Sequence, residues 1–235
     1  MSSTVVRLHE IVVAARQIGP ATPVTDAWLM LFGLQSQAYI WRKIGLLHVL
    51  VEAAAQEATR ISPNQAKNTT YWQSKINSAL AAAIKHNDST WRVFHDQIDV
   101  HAVGYLSVQA EICKLRIHHL DLDREKIAKA ILCLEEAIKE LESSNLEIEV
   151  KLGLIRRLRA MANVLSDYNI TGDEAIFDEF KVTLVDLASA KDQGKDVPSQ
   201  SKIRECLSII ADLMSTADGA TALTGPVTRL LGFIP

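Results

Sequence analysis

Glycine and proline are scarce in this chain, ten and six among 235 residues. That scarcity argues against sandwiches and barrels, whose many short strands need frequent turns. Cysteine is scarcer still. Cys113, Cys133 and Cys206 form an odd, widely spaced set with no CxxC pair, and they read as buried thiols in a reducing compartment rather than a disulfide or zinc framework. The first residues, Met1-Ser-Ser-Thr-Val-Val-Arg7, lack the regions of a secretory leader, so a cytoplasmic chain is expected. No apolar run is long enough to cross a bilayer. The best candidate, Ala27 to Trp41, lies between Asp26 and Arg42 and already contains Gln35, Ser36 and Gln37, whereas a spanning helix needs about 20 residues.

The signatures of common chemistries are also missing. There is no GxGxxG, GxxxxGK[ST] or GxSxG, which removes the standard phosphate cradles and the nucleophile elbow. His9-Glu10 has no second histidine at the zincin spacing, and no glutamate stands three residues before a histidine. The latter removes the Glu-x-x-His motif of di-iron bundles. No cofactor is expected.

What the chain does have is apolar side chains in helical order. At 48% hydrophobic, with a net charge of −3, it is not a disordered polymer. Residues 1–120 carry 11 Lys+Arg against 8 Asp+Glu, a balance of +3, with all the histidine and tryptophan; residues 121–235 carry 14 against 20, a balance of −6. A division near Leu120–Asp123 follows, the halves 1–120 and 121–235 being read as parts of one continuous bundle. In the second half Ile127, Ile131, Leu134, Ile138 and Leu141 alternate steps of four and three. Leu154, Leu158, Met161, Leu165 and Tyr168 nearly repeat that spacing, and Ile203, Leu207, Ile210, Met214 and Ala217 follow it. Such stripes line one face of a helix. An all-α protein is expected, a bundle of seven or eight mostly antiparallel helices.

The first half is less regular. Residues 27–58 are apolar around most of a helix, which predicts a central helix with Trp28, Phe32, Trp41, Ile44, Leu47 and Val51 in the core. Ser89 to His118 reads as a single long helix. Its apolar face is expected to run through Trp91, Phe94, Ile98, Ala102, Tyr105, Val108, Ile112 and Leu115.

Two clusters suggest chemistry. Arg42-Lys-Ile-Gly-Leu-Leu-His48 resembles the Arg-x(4–6)-His element of the HEPN ribonucleases, small helical proteins common among bacterial toxins. The resemblance implies an RNA phosphodiester as substrate, with His48 as acid/base and Arg42 holding the phosphate. It covers seven residues, and Lys43 stands where that family favours Asn, Asp or His. Taken alone, the residues also read as a histidine in a helix interface with Arg42 and Lys43 extending outward. The second cluster is His118, His119 and Asp121, with His95 and Asp99 upstream; imidazole and carboxylate can hold a divalent metal. The same residues also suit a helix carboxyl end and a following N-cap.

Arg156, Arg157 and Arg159 lie in the acidic half near Glu147 and Glu149, without interleaved aromatics, and read as a solvated face rather than a nucleic-acid site. The carboxyl end has the most unusual local composition, with one charge after Asp218 and Leu230, Leu231, Phe233 and Ile234 following Gly225-Pro226. Its expected role is docking onto a protein partner or a second copy, with peripheral membrane contact as another reading. The function expected from sequence is a non-enzymatic interaction or assembly protein. A HEPN-like ribonuclease using Arg42 and His48 is the alternative, and a membrane-active effector working through the tail a further one.

Overall fold

A computed structural model describes residues 3–116, 122–192 and 200–215. The chain is all-α: the described residues contain eleven α-helices, two 3-10 turns and no strand. The count exceeds seven or eight because two helices are single turns and because two expected helices are interrupted. The chain divides into two compact units, Met1–His119 and Leu120–Pro235.

The first unit contains α1 (Thr4–Gln17), α2 (Val24–Phe32), α3 (Ile40–Ile61), α4 (Ala66–Lys85), α5 (Arg92–His95) and α6 (Val100–Arg116). Its four long helices form a ring in which α1 and α4 each pack against both α3 and α6. Leu8, Leu47, Val51, Ile76, Leu80 and Leu106 are buried between them. The amino end of α1 is capped by its own Ser3 and by Glu57 from α3. Glu57 Oε2 accepts from Ser3 Oγ at 3.2 Å, from Thr4 Oγ1, and from the Val5 N–H at 3.2 Å. A carboxylate there satisfies unpaired N–H groups and opposes the positive end of the helix dipole.

The expected central helix over 27–58 is two helices, α2 and α3, of which α3 packs against α1, α2, α4 and α6. Gly33 ends α2 with φ of 62°, a left-handed position that a side chain would strain, and the Leu34 N–H turns back to the Leu29 carbonyl at 2.9 Å. A polar turn follows before α3 begins. Trp28, Ile44, Leu47 and Val51 are buried as expected and Phe32 is partly so, but Trp41 is 58% exposed. Outside its buried stripe, α3 presents Trp41 and Val49 to solvent.

Ser89–His118 is also interrupted. The loop after α1 pairs with the residues before α5: the Val24 N–H donates to Ser89 O at 3.0 Å, Trp91 N–H to Thr22 O at 2.7 Å, and Arg92 N–H to Pro20 O at 2.9 Å. The Trp91 ring is fully buried, stacked on Phe94 and edge-on to Trp28, and its indole N–H donates to Ala15 O at 2.8 Å. After this single turn the helix restarts, with Asp99 Oδ1 accepting from the Ala102 N–H at 2.8 Å. The expected stripe holds through Ala102 and then moves on by one residue. The buried residues of α6 are Ala102, Leu106, Gln109, Ala110 and Cys113, whereas Val108 and Leu115, expected inside, are 52% and 88% exposed.

The second unit contains α7 (Arg124–Ser143), α8 (Ile148–Ser166), α9 (Tyr168–Thr171), α10 (Asp173–Asp192) and α11 (Gln200–Ser215). Here the sequence stripes and the core coincide. α11 packs on α7, α7 on α8 and α8 on α10, around one shared core that includes Leu134, Leu141, Leu158, Met161, Phe180 and Leu207. Asp123 caps α7 through the Glu125 N–H at 2.9 Å. Gly172, at φ of 80°, makes the turn into α10.

The cysteine expectation needs correction. Cys113 is free and buried, but Cys133 of α7 and Cys206 of α11 form a disulfide. Each lies on its helix's core-facing stripe, and the packing of α11 on α7 brings their Cα atoms to 5.5 Å, within bonding range. With the pair bonded, the argument from three unpaired thiols to a reducing compartment falls. The bridge closes 73 residues of sequence, for which loop entropy gives about 4 kcal/mol of stabilisation. Reduction, or Cys133→Ala with Cys206→Ala, should therefore move the denaturant midpoint of the second unit downward. An unchanged midpoint with and without reductant would mean that the bond does not constrain this unit.

Candidate functional site

The polar side chains of the first unit converge mainly on helix ends and helix contacts. Asp99 begins α6 and sits beside α4, accepting from the Tyr71 hydroxyl at 2.6 Å, with Lys75 Nζ at 3.4 Å. The Tyr71 hydrogen bond, then the Ala102 N–H and the Lys75 charge, hold its carboxyl down to about 2. His95 Nε2 lies 2.8 Å from Ile18 O, which it meets as the donor. These two residues, candidates for a metal cluster from their spacing, are thus engaged in separate structural contacts. Their proposed companions His118, His119 and Asp121 lie outside the described residues. Among the described residues, no group of three His, Cys, Asp or Glu side chains is placed to hold a metal ion.

A buried relay joins α4 to α6. Trp72 Nε1 donates to Gln109 Oε1 at 2.7 Å, and Gln109 Nε2 donates to Thr69 Oγ1 at 2.9 Å. All three side chains are sealed from water. The relay satisfies groups that would otherwise be costly to bury, and so fixes the register of the two helices.

Arg42 and His48 both lie on α3, Arg42 exposed and His48 half-buried. Six residues along an α-helix put them about 9 Å apart along its axis and about 120° apart around it. The two side chains therefore leave α3 on either side of Gly45. Lys43, expected to extend outward, is only 4% exposed; burial, then the neighbouring Arg42 guanidinium, lowers its ammonium to about 8.

In the second unit the arginine cluster is tied into helix contacts. Arg157 pairs with Glu179 at 3.0 Å and Asp186 at 2.5 Å on α10, and Arg159 pairs with Glu142 of α7 at 2.9 Å. These partners differ from the Glu147 and Glu149 expected from sequence proximity. Leu230, Leu231, Phe233 and Ile234 lie outside the described residues.

Large apolar side chains also remain in solvent, outside either core. In the first unit Trp41, Val49, Val100, Val108 and Leu115 are all more than half exposed, on α3 and α6; in the second, Leu132, Ile148, Leu152 and Val185 are. Three of the first-unit set, Trp41, Val108 and Leu115, had been assigned to the core from sequence. Gly33 was the signal that the helix expected over 27–58 is broken, since it ends α2 in the left-handed conformation. None of the described helices is long and apolar enough to cross a membrane. No protein-family model matches the chain, and no curated protein or solved structure matches it significantly.

Two outcomes follow. Because the Asp99 carboxyl is depressed in the folded state, its contribution is fully present above the ordinary carboxylate range and is lost as pH falls from about 4 to about 2. Asp99→Asn keeps a good N-cap and should narrow the drop in melting temperature over that window; equal drops for both proteins would remove Asp99 from the account. Trp41 is 58% exposed while Trp28, Trp72 and Trp91 are at most 2% exposed. Iodide should then quench a fraction of the fluorescence that disappears in Trp41→Phe, and quenching that survives the substitution would contradict this placement.

Proposed function

We propose that this chain is a non-enzymatic helical interaction protein, a scaffold, regulator or subunit that docks other proteins or further copies of itself. The observation that supports it most directly is the division of labour among side chains. The polar clusters described above cap helices and tie them together, while large apolar side chains on α3, α6 and α8 are left facing water. Exposed apolar surface on a folded chain is a cost unless something covers it. The composition of 226–235, with four large apolar residues near its end, adds a docking segment to those faces.

The test begins with a chain ending at Gly225. If the tail docks on another chain, the truncated protein keeps its circular dichroism and melting temperature while its particle mass falls. A lower melting temperature at unchanged mass would instead place the tail on its own unit, and loss of vesicle co-sedimentation would favour the membrane reading. RNA cleavage by the purified protein, abolished by Arg42→Ala and by His48→Ala, would overturn the proposal in favour of the ribonuclease alternative.

A further inference from the structure

The long helices of the second unit form an open series, not a ring. α11 packs on α7, α7 on α8 and α8 on α10, and among the described residues α7 is the one helix against which α11 packs closely. α11 is thus an edge helix. Two cross-links give its direction. Cys206 bonds to Cys133, and Lys202, one turn earlier on α11, pairs through Nζ with Glu136 Oε2 at 2.8 Å, one turn later on α7. Partners that advance along one helix while they retreat along the other make the two antiparallel. The rest of the attachment is apolar. Ile203, Leu207, Ile210, Leu213 and Met214 are buried on the side of α11 that carries Cys206.

The bond sits where it decides whether this edge can come away. Removing α11 would leave the α7–α8 and α8–α10 packing in place, so its detachment is a local opening and not an unfolding of the unit. The apolar stripe favours the docked state, and the Lys202–Glu136 pair adds little, because Glu136 is 60% exposed. Neither forbids opening. The covalent bond does, since it ties α11 near its middle to the middle of α7. Burial also governs how that bond breaks. Cys206 is sealed and Cys133 is 5% exposed, so a thiolate reaches the sulfurs only when part of the helix frays.

We infer that the Cys133–Cys206 bond is a redox latch on α11. Oxidised, it makes α11 a fixed part of the unit. Reduced, it lets α11 leave and rejoin α7 while α7, α8 and α10 stay packed. The reductant is a dithiol. One of its thiolates attacks a sulfur of the pair, the S–S bond breaks, and the other cysteine departs as a thiolate that takes up a proton. The second thiolate of the reductant then displaces the first cysteine from the mixed disulfide and closes a disulfide of its own. Two electrons and two protons have passed from the dithiol to the cysteine pair. Because access waits on fraying, the latch follows lasting conditions, not brief ones. The first unit supplies the contrast. Cys113 is free but 1% exposed, on a helix packed against both α1 and α4.

The experiment uses the full chain, oxidised in air and after incubation with dithiothreitol. It reads hydrogen exchange by mass spectrometry together with labelling by N-ethylmaleimide. Labelling in denaturant should find Cys113 alone before reduction, and Cys133 and Cys206 as well after it. In the folded reduced protein the amides of 203–214 should exchange about ten-fold faster or more, while those of α8 and α10 keep their rates. Cys133 and Cys206 should then label at least about ten-fold faster than Cys113. Cys133→Ala with Cys206→Ala, without reductant, should reproduce the exchange of the reduced wild type, which separates the bond from any other action of dithiothreitol. Oxidised glutathione should restore the slow exchange of the wild type and leave the double variant unchanged. Three free thiols in the air-oxidised chain, a bond that dithiothreitol does not open in the folded protein, or equal exchange of 203–214 in both states overturns the inference. Acceleration spread evenly over α7, α8, α10 and α11 also overturns it, because the bond would then brace the whole unit.

Discussion

The hydrogen-bonded clasp between the loop after α1 and the segment before α5 is the contact on which the first unit depends. Three backbone bonds join 20–24 to 89–92, and beside them the Trp91 indole and the His95 ring reach the carbonyls of Ala15 and Ile18 at the end of α1. The carboxyl end of a helix leaves four carbonyls without intrahelical partners, and burying it requires donors from elsewhere. The same segment holds α5 to a single turn, and α6 restarts at Asp99, its buried face packed on α1 and α4.

The same clasp explains what could and could not be read from the residues alone. The class was legible, because steps of three and four are a property of one helix and need no knowledge of its neighbours. In the second unit the stripes through Leu134 and Leu141, Leu158 and Met161, and Leu207 and Ile210 are the core. In the first, periodicity was followed through residues whose backbone leaves the helix. A left-handed Gly33 and an aspartate cap are local signals, and an apolar count spread over thirty residues outweighed them. Trp41, Val108 and Leu115 were placed inside for that reason. The Cys133–Cys206 bond was hidden for another: only the packing of α11 on α7 brings residues 73 apart together.

The candidate chemistry changes character once its geometry is known. His95 and Asp99, four residues apart and plausible ligands on paper, each satisfy a different helix end. Arg157 and Arg159 link α8 to α10 and α7 instead of forming a basic face. Arg42 and His48 leave α3 on either side of Gly45, with Lys43 folded into the core between them. In each instance the neighbours brought by packing, rather than the spacing in sequence, determine what the side chain does.

The central claim is that the apolar faces of α3 and α6 exist to be covered. Residue-resolved hydroxyl-radical footprinting at low and high protein concentration tests it most directly. The account predicts that Trp41, Val108 and Leu115 react freely when the protein is dilute and become protected as it associates, while Trp72 and Trp91 stay unreactive throughout. Associated protein in which Trp41 and Leu115 remain as reactive as in dilute solution would contradict it.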